Sequence, residues 1–221
     1  LLRGMSLGDV LEGELPVPGT GEPSDGGGAN RLESVMRLVK SCRDEEGHLE
    51  QVERLALRLF DSLQALHGLG EFERSWLQSA ALLHDIGWVQ GGTGHHKASM
   101  RLIMASPVLA FDPRERRIIG SIARYHRGAL PKRTHTHFES LSGPDRLVVR
   151  KLASLLRLAD GLDASHGTVV KEIEARLEPG SVVLECSAST FCQWERLSAE
   201  KKKDLFEETY GRELKIRWKK A

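Results

Sequence analysis

Leu82-Leu83-His84-Asp85-Ile86-Gly87 sets a histidine and an aspartate side by side at the end of an apolar run. An imidazole and a carboxylate are costly to bury without partners. A divalent cation accepts nitrogen and oxygen ligands together and so satisfies both at once. Further residues point the same way: His48 upstream, and His126 and Asp160 downstream, each on the apolar side of an expected helix. His48 lies four residues before Val52, His84 four after Ala80, and Asp160 four after Leu156, which puts each on the buried stripe of its helix. A lone histidine on such a stripe is usually a satisfied core residue. His48, His84, Asp85 and Asp160 facing inward from separate helices instead make a metal site of the kind that helix bundles build. Mixed nitrogen and oxygen donors fit Mn²⁺, Fe²⁺, Mg²⁺ or Zn²⁺ better than Ca²⁺. An ion so held keeps positions open for water and substrate, lowers the pKa of bound water and polarises a phosphoryl oxygen.

His95, His96 and His126 extend the pattern. His96 and His126 could complete a second metal position, which would allow a two-ion clamp on phosphate, or they could act as general acids or phosphate donors. Basic residues gather close by: Lys97, Arg124, Arg127, Lys132, Arg133 and Arg157. Lys97, Arg127 and Arg157 flank the candidate ligands directly and are the expected phosphate-binding groups. The other basic residues, together with His67, His135, His137 and His166, are expected at the solvated surface, and Lys201-Lys202-Lys203 is expected to be an exposed helix face. The expected catalytic residues are thus Asp85, His126 and Lys97. Neither a Walker-type phosphate loop nor a nucleophile elbow occurs.

The elements that must position these groups are mostly helical. Leu49, Val52, Leu55, Ala56, Leu59, Phe60, Leu63 and Leu66 repeat at three-and-four spacing, as do Phe72, Trp76, Ala80 and Leu83, with Gly87 as the expected stop. A third helix is expected from His96 to Ser106. Asp112-Pro113-Arg114-Glu115 combines an N-cap acid, a first-position proline and a capping-box glutamate, and so starts a fourth. Pro144 opens a long helix through Val148, Leu152, Leu156 and Ala159. Beyond Asp163, residues 170–177 and 181–187 read as strands joined by the turn Glu178-Pro179-Gly180. A helix through Leu205 and Phe206 and a last strand through Leu214, Ile216 and Trp218 follow. The fold expected is mainly α, a helical bundle carrying a small C-terminal α/β appendage of a β-hairpin plus a strand. Residues 1–30 are expected to be a tail and a Gly/Pro-rich linker, residues 31–166 the helical metal-binding domain and residues 167–221 the appendage.

The 221 residues carry 32 basic and 31 acidic side chains, a net charge of +1, so no global field favours nucleic acid or an acidic membrane. No apolar run approaches the roughly 20 residues that span a bilayer. Three cysteines without metal-site spacing are expected to be reduced thiols, which points to a cytoplasmic protein. The chain opens on Leu1 rather than Met, as a processed product or a piece of a longer protein would.

His48, the His84-Asp85 doublet and the distant Asp160 resemble the signature of the HD superfamily of metal-dependent phosphohydrolases. More closely, the chain from His48 onward resembles the HD-like C-terminal region of the exopolyphosphatase / guanosine pentaphosphate phosphohydrolase family. The strings that carry this are residues 56–61 (ALRLFD), 81–87 (ALLHDIG), 96–99 (HKAS), 124–127 (RYHR), 156–163 (LRLADGLD) and 204–206 (DLF). His96 and His126 also resemble the extra ligands of the two-metal branch of the HD superfamily, which has a histidine where this chain has Arg127. The resemblance implies a helical HD-domain bundle and a divalent-metal phosphohydrolase acting on a nucleotide, a phosphoester or polyphosphate. In that family the phosphate-releasing site belongs to two preceding actin-like domains, which this sequence lacks. The resemblance therefore equally implies a non-catalytic regulatory or ligand-binding module that works with an actin-like phosphatase partner, or as a homodimer.

Overall fold

A computed structural model describes residues 26–42 and 47–220 of the chain. The segment 1–25, which holds the expected tail and most of the expected linker, lies outside the described residues. Residues 26–30 depart from expectation: they form the first turns of helix α1 (Gly26–Cys42) rather than a linker. Val35, Leu38 and Val39 of α1 are buried, so packing of its later turns overrides the poor helix propensity of the glycines that start it.

Helix α2 (Gly47–Ser62) buries Val52, Leu55, Ala56, Leu59 and Phe60, the stripe that its sequence spacing predicts. The short α3 (Gln64–His67) leads to α4 (Glu71–Leu83), and a 3₁₀ segment (Ile86–Gln90) separates α4 from α5 (His95–Ala105). Helix α4 ends at Leu83, so Gly87 is not its stop. Gly87 meets a steric need instead, since a Cβ there would lie 2.1 Å from the His95 carbonyl oxygen and 2.5 Å from the Ser99 nitrogen. Helix α6 (Pro113–Arg124) starts with the expected capping box. The Glu115 N–H donates to Asp112 Oδ1 at 2.8 Å and the Asp112 N–H to Glu115 Oε2 at 3.1 Å. After the short α7 (Thr136–Glu139), helix α8 (Gly143–Gly161) is capped by Ser142, whose Oγ accepts from the Asp145 N–H. Buried leucines of α8 at 152, 155, 156 and 158 make it the central helix. Each fully buried leucine stabilises the fold by about 1.5–3 kcal/mol.

Strands β1 (Val170–Glu178) and β2 (Ser181–Ala188) form the expected hairpin. Two helices follow where one was expected, α9 (Gln193–Lys202) and α10 (Asp204–Tyr210). Strand β3 (Glu213–Lys220) then pairs parallel to β2, giving the order β1-β2-β3. The middle strand buries Val182, Val183 and Leu184 in succession, as a strand covered on both faces does. The structure is mainly helical with a small C-terminal sheet, as expected from the sequence. Its hydrophobic core runs without a break from α1 to β3, so the appendage is packed onto the bundle. No helix among the described residues is long and apolar enough to cross a membrane. Cys42, Cys186 and Cys192 are all free thiols.

Candidate metal centre

The expected ligands converge. His48 from α2, His84 and Asp85 after α4, and Asp160 from α8 meet, joined by His95 from α5 and His126 just past α6; Asp85, His95, His126 and Asp160 line a cleft of about 550 Å³, and His48 and His84 are buried against them. The relevant atoms form two overlapping sets, His48-His84-Asp160 and His84-Asp85-His126, and the ligand atoms within each lie within 4.8 Å of one another.

The tautomers follow from the partners, because a carbonyl oxygen can only accept. His84 Nδ1 donates to the Ala81 carbonyl at 2.7 Å, His126 Nδ1 to the Ala123 carbonyl at 2.7 Å, and His95 Nδ1 to the Gly92 carbonyl at 3.0 Å. On each neutral ring the proton therefore sits on Nδ1 and the lone pair on Nε2. The three Nε2 atoms lie 3.3–3.6 Å from a single oxygen, Asp85 Oδ1. His48 Nδ1 pairs with Asp163 Oδ2 at 2.7 Å, and its Nε2 faces Asp160 Oδ1 at 3.6 Å. His48 and His84 are 4% and 0% exposed, and neither Nε2 has a hydrogen-bond partner. Lone pairs turned on carboxylate oxygens repel unless a cation lies between them.

The electrostatics agree. Burial lowers the pKa of His48, but the carboxylates of Asp160 and Asp163 outweigh it and raise the value to about 9. Burial raises the pKa of Asp160, yet Lys202 and the surrounding histidines hold it well below the usual carboxylate range. Burial likewise opposes ionisation of Asp85, and His84 and His126 overcome it. Burial keeps His126 neutral far below its ordinary value. The site is therefore built to hold positive charge. His67 is the contrasting case. It was expected at the surface but is buried, and both ring nitrogens are satisfied, Nε2 by the Phe60 carbonyl and Nδ1 by the Leu69 N–H.

The remaining expected residues fall in different places. His96 lines the cleft, but the first turn of α5 directs His95, not His96, at Asp85. Arg127 is exposed on the cleft wall. Arg157 also lines the cleft but is buried and engaged by Asp204 through hydrogen bonds of 2.8 and 3.0 Å. Lys97 is exposed beside His96 and is not among the residues that line the cleft. Arg124, expected at the solvated surface, is instead buried at 6% exposure.

Sequence alone assigns no role here to Trp88, His166 or Lys202, whereas Asp163, one helical turn beyond Asp160, is expected as an outer partner of a ligand or as a helix cap. Trp88 stacks on His95 at 4.6 Å and donates from Nε1 to Asp85 Oδ2 at 3.2 Å. His166 is exposed as expected, yet its ring stacks on His48 at 3.7 Å and lines the cleft. Asp163 is held from two sides, by His48 and by the Thr168 N–H at 2.8 Å. Lys202 of α9 pairs with Asp160 Oδ2, which overturns the reading of all three lysines as a solvated face. Gly161 allows this approach, because a Cβ there would already lie 3.3 Å from the Ala199 backbone of α9. The spacing of Ala199, Lys202 and Phe206 on one side of the α9–α10 segment is the signal that could have found Lys202.

Two comparisons with known proteins bear on the chain. The family described as Ppx/GppA phosphatase, domain III, matches residues 31–202. No curated protein matches the chain.

Proposed function

This chain belongs to the Ppx/GppA phosphatase family through its domain III, and from that premise we propose that its cleft is a metal-dependent phosphohydrolase site. One observation carries the reading: the buried rings of His84, His95 and His126, each with Nδ1 committed to a backbone carbonyl, turn Nε2 toward the carboxylates of Asp85 and Asp160. His48, His84 and Asp160 would hold one divalent ion, and Asp85, His126 and His95 suit a second. The mixed donor set favours Mn²⁺, Fe²⁺, Mg²⁺ or Zn²⁺. When bound, such an ion lowers the pKa of a water and polarises a phosphoryl oxygen.

The chain's own groups supply the rest. Asp163 fixes the His48 tautomer, and the Ala81, Gly92 and Ala123 carbonyls fix those of His84, His95 and His126. Lys202 and Arg127 on the cleft wall offer donors to phosphate oxygens, while Asp204 holds Arg157 in place beside them. His166, at the mouth and stacked on His48, offers a further hydrogen-bonding group toward a substrate oxygen. The substrate class proposed is a phosphorylated small molecule (nucleotide or phosphoester) or polyphosphate.

The test is phosphate release by the purified chain from phosphomonoesters, nucleotides and polyphosphate, with and without Mn²⁺. Metal-dependent release is the expected result. A second reading rests on the family match, which is to one domain of a phosphatase. On that reading the site binds metal and ligand for regulation and works with an actin-like partner. A metal-loaded protein that releases phosphate from nothing would establish this module and end the hydrolase reading.

Asp163→Asn is a graded check on the positioning. An amide can turn its NH₂ toward His48 Nδ1 and unsettle the tautomer, and loss of such an outer partner typically costs about 10–100-fold in metal affinity. A calorimetric Mn²⁺ titration of the variant should show that loss with little change in thermal stability. Unchanged affinity would mean that Asp163 only caps the end of α8.

A further inference from the structure

His166 and Thr168, between α8 and β1, are the only non-glycine residues among the described ones with positive φ, at 56° and 49°. A side chain in that region is strained, a β-branched one such as threonine most of all. Such strain persists only where surrounding contacts outweigh it, and it gathers at functional sites. Residues 164–167 are all exposed, so hydrogen bonds rather than apolar packing decide where His166 sits. Asp163 closes the segment from within, its carbonyl accepting from the His166 N–H at 2.9 Å and its Oδ1 from the Thr168 N–H at 2.8 Å. A third bond comes from outside. The Ser165 N–H donates to Glu195 Oε1 of α9 at 3.0 Å, across 30 positions of sequence.

Glu195 is 1% exposed, and a carboxylate is costly to bury unless it is bonded. It shares the inner face of α9 with Ala199, which is buried against Gly161, and with Lys202, which pairs with Asp160. Helix α9 thus grips the end of α8 through Ala199 and Lys202, and the strained segment through Glu195. That segment carries His166, whose ring lies parallel to that of His48 with centroids 3.7 Å apart and lines the cleft.

We infer that Glu195 is a positioning residue of the cleft: its bond to the Ser165 N–H holds the 164–168 segment in the strained form that lays His166 over His48. The inference rests on the metal-centre reading for its consequence, since His48 is a proposed ligand and His166 covers one face of its ring. Without the bond, the segment relaxes toward ordinary φ values, the ring leaves His48 and that face opens to water. Glutamine at position 195 keeps a carbonyl oxygen for the Ser165 N–H. Alanine has no acceptor, and methionine fills the space with only a weakly accepting sulfur.

The test reads the histidine ring signals of the full chain in ¹H–¹³C spectra at fixed pH, with EDTA present so that no metal is bound. A ring stacked face to face displaces the protons of the ring it covers upfield. His166→Ala removes the covering ring and gives the downfield reference position of the His48 Hε1 signal. Glu195→Ala should move that signal most of the way to the reference, and Glu195→Gln should leave it at the parental position. If Glu195→Ala does not fold, Glu195→Met carries the same expectation. A signal that stays at the parental position in a folded Glu195→Ala or Glu195→Met overturns the inference. So does one that moves as far in Glu195→Gln as in Glu195→Ala, or one that His166→Ala leaves in place. Because chelator is present throughout, failure here would leave the metal-centre reading standing, and a chain that binds no Mn²⁺ would leave the placement of His166 by Glu195 standing.

Discussion

Asp85→Ala is expected to abolish metal-dependent phosphate release while leaving the fold in place. Asp85 Oδ1 is the point on which His84, His95 and His126 converge, at 3.6, 3.3 and 3.6 Å. Removing it takes one carboxylate out of the metal-holding set, and with it the oxygen that the Nε2 atoms of three imidazoles face. Outer-sphere changes alone typically cost about 10–100-fold in affinity, so loss of a direct ligand should exceed about 100-fold. Stability without metal should change little. The carboxylate accepts from Trp88 Nε1 and lines the cleft rather than packing in the apolar core, and the alanine leaves a polar cleft that water can fill. The check is phosphate release at saturating Mn²⁺ alongside a thermal melt in EDTA. Release unchanged in a folded Asp85→Ala protein would remove Asp85 from the site.

Gly87→Ala should do more damage than any other addition of one methyl group among the described glycines. The added Cβ would lie 2.1 Å from the His95 oxygen, 2.5 Å from the Ser99 nitrogen and 2.8 Å from Ser99 Oγ. Two of these are backbone atoms of α5, which cannot rotate away. Relief requires the 3₁₀ segment and α5 to separate, which also strains the bond from the Gly87 N–H to Ser99 Oγ at 2.9 Å. Overpacking of this kind costs about 1–3 kcal/mol or more, or roughly 2–12 °C in Tm for a chain of this size. The shift also draws His95 away from Asp85, so metal affinity should fall along with stability. A melt and a Mn²⁺ titration of the variant test this. A variant with parental Tm and affinity would contradict the contact between these elements.

Much of this was legible in the sequence because burial leaves a period. The stripe from Leu49 to Phe60, the capping box at Asp112 and the hairpin at Glu178-Pro179-Gly180 all appear where spacing and turn chemistry put them. His48, His84, Asp85 and Asp160 were legible for the same reason, being polar residues in phase with apolar stripes. What the sequence hides depends on phase at helix ends and on long-range packing. His95 and His96 are adjacent, about 100° apart around the first turn of α5, and only the docking of α5 on Gly87 decides which one faces Asp85. Lys202 reaches Asp160 across 42 positions of sequence, through a contact made possible by Gly161. Arg124 sits among arginines at 114, 116 and 117 on a polar helix, and nothing local marks it as the buried one. The start of α1 was hidden by glycines that read as a linker, although Val35, Leu38 and Val39 carry the helical spacing that anchors it.

The central claim is that the histidine Nε2 atoms and the two carboxylates form a metal centre. It is tested most directly by titrating Mn²⁺ into the chelator-stripped full chain by calorimetry and measuring the ion retained after desalting. The account predicts saturable binding that is reversed by chelator and lost in Asp85→Ala. A well-folded chain that shows no saturable heat and retains no divalent ion would contradict it.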